Sequence, residues 1–122
     1  YGADKNLNLT SLKNTKAEFI KIPLLDNKIN LAEVMAYLNK LEINELWVEA
    51  GPDLNGELLK FGLLDELITY TAPYIMGGSA NSVFNAPILK DMKDKIKISV
   101  LDCRSIGEDI RIQAMVCKDD VD

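Results

Sequence analysis

Leu46-Trp47-Val48-Glu49-Ala50-Gly51-Pro52-Asp53-Leu54-Asn55-Gly56-Glu57-Leu58-Leu59 is the stretch on which the fold turns. Leu46 to Val48 is apolar without alternation, the pattern of a short strand covered on both faces. Gly51 and Pro52 follow as a turn, and Asp53 stands where it would cap a helix burying Leu54, Leu58 and Phe61. Strand, turn and helix in that order put Glu49 at the carboxyl end of the strand, where open α/β sheets bind ligands. Glycine lets backbone come close to a ligand, and the first N–H groups of a helix favour an anion. This corner is the candidate site.

The flanking segments extend the same pattern. Upstream, Glu18-Phe19-Ile20-Lys21-Ile22 has strand-type residues and is stopped by Pro23. Asn30-Leu31-Ala32-Glu33 resembles a capping box, with Ile29 and Val34 at the staple positions. Leu31, Val34, Leu38 and Leu41 then recur at helical spacing, predicting a helix to about Glu42 that Asn44 breaks. Downstream, Gly62 falls where a left-handed residue would end the second helix. Leu67 to Ala72 reads as a third strand, with Ile68 and Tyr70 on one face, closed by Pro73. The order β-α-β-α-β predicts a parallel sheet with right-handed crossovers.

Tyr74 to Asp94 is irregular, with Gly77-Gly78-Ser79 and Pro87 as breakers. Lys95 to Leu101 and Ile110 to Val116 both alternate apolar and polar residues, and Gly107 lies between them. They predict an antiparallel hairpin at a sheet edge, where Lys95, Lys97 and Arg111 would discourage further pairing. Tyr1 to Thr15 is polar, a loop with one weak helical turn, anchored by Leu7, Leu9 and Leu12. The expected fold class is α/β, a mostly parallel sheet with a C-terminal antiparallel hairpin.

Composition removes several function classes. At 122 residues the chain is one domain or a piece of one, and its 27% charged residues are ordinary for a globular protein. A net charge of -5 argues against a general nucleic-acid or bilayer-surface binder, which needs a basic face. Histidine is absent, which removes a Ser-His-Asp triad, a Cys-His dyad and the usual zinc sites; no metal is expected. Cys103 and Cys117 show no C-x-x-C spacing and read as reduced thiols of a cytoplasmic protein. No apolar run approaches the roughly 20 residues that a membrane helix needs.

Each motif at the corner has two readings. Gly51-x-x-x-x-Gly56 has the glycine spacing of a P-loop, but Glu57 and Leu58 stand where Lys and Ser/Thr belong. It is either an ordinary turn whose glycines serve geometry or a cradle for phosphate. Glu49 either accepts hydrogen bonds from a ligand or caps nearby backbone N–H groups. Any anion is expected against the N–H groups of Asn55, Gly56 or Glu57, away from the charge of Asp53. Asp65-Glu66 reads as a solvated turn, and Tyr70 and Tyr74 read as packing residues, with the lining of a pocket or interface as the alternative.

Three blocks then stand in order: Trp47 to Leu59, Gly62-Leu63-Leu64-Asp65-Glu66-Leu67, and Ala72-Pro73-Tyr74-Ile75-Met76-Gly77-Gly78. Together they resemble the reductase domain of bacterial bifunctional riboflavin-biosynthesis deaminase/reductases, strongly over Trp47 to Gly78 and more loosely at Gly107-x-Asp109. The one small departure within the blocks is Ala50, where the family commonly has glycine. The resemblance implies a dihydrofolate-reductase-like three-layer fold. It also implies NADPH as cofactor and reduction of the ribosyl group of 5-amino-6-(5-phosphoribosylamino)uracil. Glu49 matches the family's substrate-contacting glutamate. Gly51, Pro52, Asp53, Leu54, Asn55, Gly56 and Glu57 match the loop along the NADPH phosphates.

The family domain is longer than this chain, so residues 1–122 are expected to be its C-terminal portion and to turn over no substrate alone. The expected partners are a phosphorylated pyrimidine and a second copy of the chain, with no nucleic acid and no membrane. The rival readings are a non-catalytic dimerisation or nucleotide-binding module, and a related diaminopyrimidine reductase.

Overall fold

Asp26 and Asn27 both take positive φ (51° and 61°), as a two-residue type I′ turn requires. They join β1 (Leu24–Leu25) to β2 (Lys28–Ile29), with Leu25 paired to Lys28 and Leu24 to Ile29. The computed structural model describes residue 16 and residues 18–85 and 91–118. The polar stretch 1–15 and Pro87 therefore lie outside the described residues. The chain divides into two units, Tyr1–Trp47 and Val48–Asp122.

In the first unit the expected strand at Glu18–Ile22 does not form. These residues are irregular, and the strand structure begins only after Pro23, on the short hairpin that the Asp-Asn turn creates. Ile22 is nonetheless buried, as its side chain demands. The N–H of Asn30 donates to the carbonyl of Pro23 (3.1 Å), closing the hairpin onto the start of α1 (Leu31–Lys40). The Asn30 side chain accepts from the N–H groups of Ala32 (3.1 Å) and Glu33 (3.4 Å). Half of the predicted capping box thus forms; the bond to Pro23 takes the place of the return bond from Glu33. The helix ends earlier than Glu42, with Leu41 as C-cap. Glu42 (φ 60°) takes the left-handed position, and Ile43 and Glu42 donate to the carbonyls of Leu38 and Asn39. This is a Schellman ending, so the chain turns at Glu42 before Asn44 is reached.

Leu46, Trp47 and Val48 are also not a strand. They are irregular and exposed, Trp47 by 71%. A strand covered on both faces needs ladder neighbours and layers above and below, which the described residues do not provide here. The parallel β-α-β-α-β sheet expected from these two segments is accordingly not seen among them.

The second unit carries α2 (Pro52–Lys60) and a three-stranded antiparallel sheet in the order β3 (Glu66–Thr71), β5 (Asp109–Val116), β4 (Ile98–Ile106). Gly62 (φ 64°) is left-handed at the end of α2, as expected, and Leu63 donates back to Leu58. The C-terminal antiparallel hairpin forms, but its first strand runs Ile98–Ile106 instead of Lys95–Leu101, which leaves Lys95 and Lys97 outside it. Ile106 pairs with Asp109 across Gly107-Glu108, and Gly107 alone of these two has positive φ (61°), the demand of a II′-type turn. Its setting differs from the expectation in one respect: β5 is central, flanked by β3 and β4, so Arg111 guards no edge.

A bulge at Leu101 decides the chemistry of the two sheet faces. Val100 pairs with Ala114 and Asp102 with Gln113, leaving Leu101 as the extra residue. A one-residue slip exchanges faces along a strand. Beyond the bulge Cys103 and Ser105 therefore join the aliphatic face of Ile110, Ile112 and Ala114, while Asp102 and Arg104 join Arg111 and Gln113. There Arg111 donates to Asp102 (2.9 Å) and to Gln113 (2.9 Å), Gln113 donates to Glu66, and Arg104 lies 3.2 Å from Asp102. Asp65 is not merely solvated, since Lys118 Nζ reaches it at 2.6 Å. On the opposite face Ala114 is 1% exposed. Cys103 and Cys117 are free thiols. No helix among the described residues is long and apolar enough to cross a membrane.

Candidate functional site

Helix α2 begins two residues earlier than its acidic residue suggests. Gly51 is the N-cap, in extended conformation (φ -77°, ψ 173°), and Pro52 occupies the first helical position. Proline suits that position because its missing N–H has no intrahelical acceptor there. Asp53 is therefore not the N-cap, and among the described residues no side chain makes a cap hydrogen bond to this helix start. The signal was present in the sequence: a proline at the first helical position makes the residue before it the cap.

The first N–H to bond within the helix is that of Asn55, which donates to the Gly51 carbonyl (3.2 Å). The expectation that Asn55, Gly56 or Glu57 offers its N–H to an anion is corrected accordingly. Gly56 and Glu57 follow Asn55 inside the helix, where N–H groups are engaged. The N–H groups ahead of it, on Asp53 and Leu54, have no helical carbonyl four residues back. These two donors sit at the positive end of the helix dipole. Among the described residues, an added Cβ at Gly51 would meet no atom within 4 Å.

Gly56 has a different environment. It is buried, and an added Cβ would lie 2.3 Å from the Asn85 carbonyl oxygen. The backbone of Asn85 crosses the helix at this point. Its N–H donates to the Pro52 carbonyl (2.8 Å), and its side-chain amide donates to Asp53 Oδ1 (2.7 Å). Asn55 completes the arrangement, its Nδ2 donating both to the Ala50 carbonyl (3.2 Å) and to the Val83 carbonyl (3.0 Å). Val83 to Asn85 thus forms a strap over the first turns of α2. Local sequence carries no signal for it, because its partners lie roughly 30 residues away along the chain.

Of the residues singled out from the sequence, Gly51, Pro52, Asp53, Leu54, Asn55, Gly56 and Glu57 share this one helix start. Leu54 is exposed, and Glu57 lies 4.0 Å from Lys60 one turn on. Glu49 is exposed in the irregular segment just ahead of Gly51. Tyr70 and Tyr74 are exposed rather than packed, and Ile75 beside Tyr74 is fully exposed. Among the described residues, no group of three or more Cys, Asp or Glu side chains is arranged to hold a metal ion.

The comparisons with known proteins converge on one family. The model of the RibD C-terminal domain matches residues 4–112. The riboflavin biosynthesis protein RibD of Escherichia coli K12 is 39% identical over 89 residues, which are 73% of this chain and 24% of that protein. The 5-amino-6-(5-phosphoribosylamino)uracil reductase of Buchnera aphidicola (subsp. Acyrthosiphon pisum) is 36% identical over 87 residues, 71% of this chain and 42% of that protein. Among solved structures, Acinetobacter baumannii RibD, form 2, superposes with a TM-score of 0.67 at 28% identity, covering 80% of this chain and 27% of that one. The chain thus spans about a quarter of the RibD proteins it matches and under half of the Buchnera reductase. With the match running through Glu49 and the whole of Gly51 to Glu57, the chain belongs to the RibD C-terminal domain family.

Proposed function

We propose that this chain forms part of a reductase that uses NADPH to convert the ribosyl group of 5-amino-6-(5-phosphoribosylamino)uracil to its open ribityl chain, a step of riboflavin biosynthesis. The observation that supports the reading is the coincidence of the family match with a helix start whose N-cap is Gly51, without a side chain to occupy the first donors. The Buchnera relative bears the name of this reductase, which supports the substrate assignment. In the whole protein the fold is proposed to be dihydrofolate-reductase-like, with Leu46–Val48 acting as a strand once neighbours cover it.

NADPH supplies a hydride to the sugar C1′ when bound. The chain's contribution is binding and orientation. The loop Gly51, Pro52, Asp53, Leu54, Asn55, Gly56 and Glu57 lies along the dinucleotide phosphates through its backbone. Within it the N–H groups of Asp53 and Leu54 donate, and Gly51 keeps the approach clear of a side chain. Glu49 takes hydrogen bonds from the donor groups of the pyrimidine on its carboxylate oxygens. A charge-assisted bond of this kind contributes about 1.5–3 kcal/mol.

Steady-state kinetics of Glu49→Gln in the full-length protein test the assignment. The expected result is a KM for the pyrimidine raised about tenfold or more, with the KM for NADPH unchanged. Unchanged pyrimidine kinetics reject the role of Glu49, and no binding of NADPH by the wild-type protein rejects the reductase reading.

A further inference from the structure

The strap over α2 divides the seven-residue loop by role. Asn55 uses the two hydrogens of one amide on two carbonyls, Ala50 at the entry to the turn and Val83 on the strap. Asp53 turns its carboxylate to the Asn85 amide, and Gly56 provides the gap through which the Asn85 backbone passes. Asn85 in turn holds the Pro52 carbonyl through its own N–H. Each of these groups faces the strap, and each lies within one helical turn of the N–H groups of Asp53 and Leu54.

We propose that Asn55, Gly56 and the Asp53–Asn85 pair are positioning residues, which fasten the Val83–Asn85 strap to α2 and so fix Gly51 and the helix donors for the dinucleotide phosphates. The inference rests on the NADPH reading above and adds to it residues that the loop sequence does not contain, Val83 and Asn85. Physically, an N-terminal donor pair binds an anion well only if its spacing is held before the anion arrives, because ordering a loop on binding subtracts from affinity. Asn55 supplies that order by tying the turn and the strap to one side chain. Since the phosphates lie away from the reacting carbon, loosening the corner removes binding shared by ground and transition states. It raises KM and leaves kcat in place.

Asn55→Asp in the full-length protein is the direct test, because it keeps the shape, removes both donors and turns a carboxylate toward two carbonyl oxygens. The Asn85 amide, bonded to Pro52, reports the strap through hydrogen exchange. The expected result is tenfold or faster exchange at Asn85 and a KM for NADPH raised at least tenfold, with kcat within twofold of wild type. Unchanged exchange overturns the fastening role, and faster exchange with an unchanged KM overturns the positioning of the cofactor.

Should Asn55→Asp fail to fold, Asn85→Asp opposes two carboxylates at an exposed pair and is expected to raise the KM about threefold. Adding Asp53→Asn restores a donor and an acceptor with their order reversed, and is expected to return the KM toward wild type. A double variant no better than the single one counts against the proposal. Wild-type protein that binds no NADPH overturns the dinucleotide reading and this role with it, whereas binding in wild type with unaltered variants overturns this role alone.

Discussion

The two helices of this chain end alike and begin differently. Both close in a Schellman turn, α1 on Glu42 and α2 on Gly62, each with a left-handed residue and a bond back to the third residue from the end. At its start α1 takes care of its own donors, since Asn30 accepts from two of the first N–H groups. Helix α2 starts on Gly51 and Pro52 with no side-chain cap. What fastens it instead is a strap from elsewhere in the chain, which grips Pro52, Asp53 and Asn55 and, among the described residues, makes no bond to the N–H groups of Asp53 and Leu54. A helix start that only has to be stable is capped locally. One whose first donors no side chain occupies is suited to an anion.

The contrast can be broken at three places. The largest effect is expected for Gly56→Ala. The added Cβ would press on backbone rather than on a flexible side chain, so the strap must move, and overpacking of this kind costs about 1–3 kcal/mol. Denaturant unfolding of the full-length protein measures it, and a loss under 0.5 kcal/mol would show that the strap is not packed against α2 as described. Next in size is Asn30→Ala, which removes the cap of α1 and is expected to cost about 1 kcal/mol. It should leave NADPH affinity unchanged, because α1 is capped for stability alone; a parallel loss of affinity would undo the distinction between the helices.

Much of this was legible in the sequence where the determinant is local. Asn30 announces the start of α1, Gly62 the end of α2, and the alternation around Gly107 announces the hairpin, because caps and turns are set by a few neighbouring residues. The alternation of β4 breaks at Leu101-Asp102, and that break is the bulge, although only the pairing with β5 shows which face Asp102 and Arg104 join. Segments whose structure depends on distant partners do not form strands among the described residues. Glu18–Ile22 and Leu46–Val48 have strand composition, but composition supplies neither ladder nor cover. At the site, Glu49 was singled out by its place at the end of the expected Leu46–Val48 strand, which the described residues do not form, and the glycine loop by its spacing. Pro52 carried the signal for Gly51 as the cap where Asp53 was expected, while Asn85 was invisible because it lies 32 residues from Asp53, beyond α2 and β3.

The smallest effect on stability, and the sharpest on function, is expected for Gly51→Asn in the full-length protein. Asparagine is a good N-cap, so it would make α2 begin as α1 does and stabilise the protein by a few tenths of a kcal/mol. The same side chain would occupy the approach and take the donors that the phosphates need. Calorimetric titration with NADPH should then show affinity reduced at least tenfold in a protein no less stable than wild type. Undiminished NADPH affinity in that variant would contradict the account, because the uncapped start of α2 would then have no part in holding the cofactor.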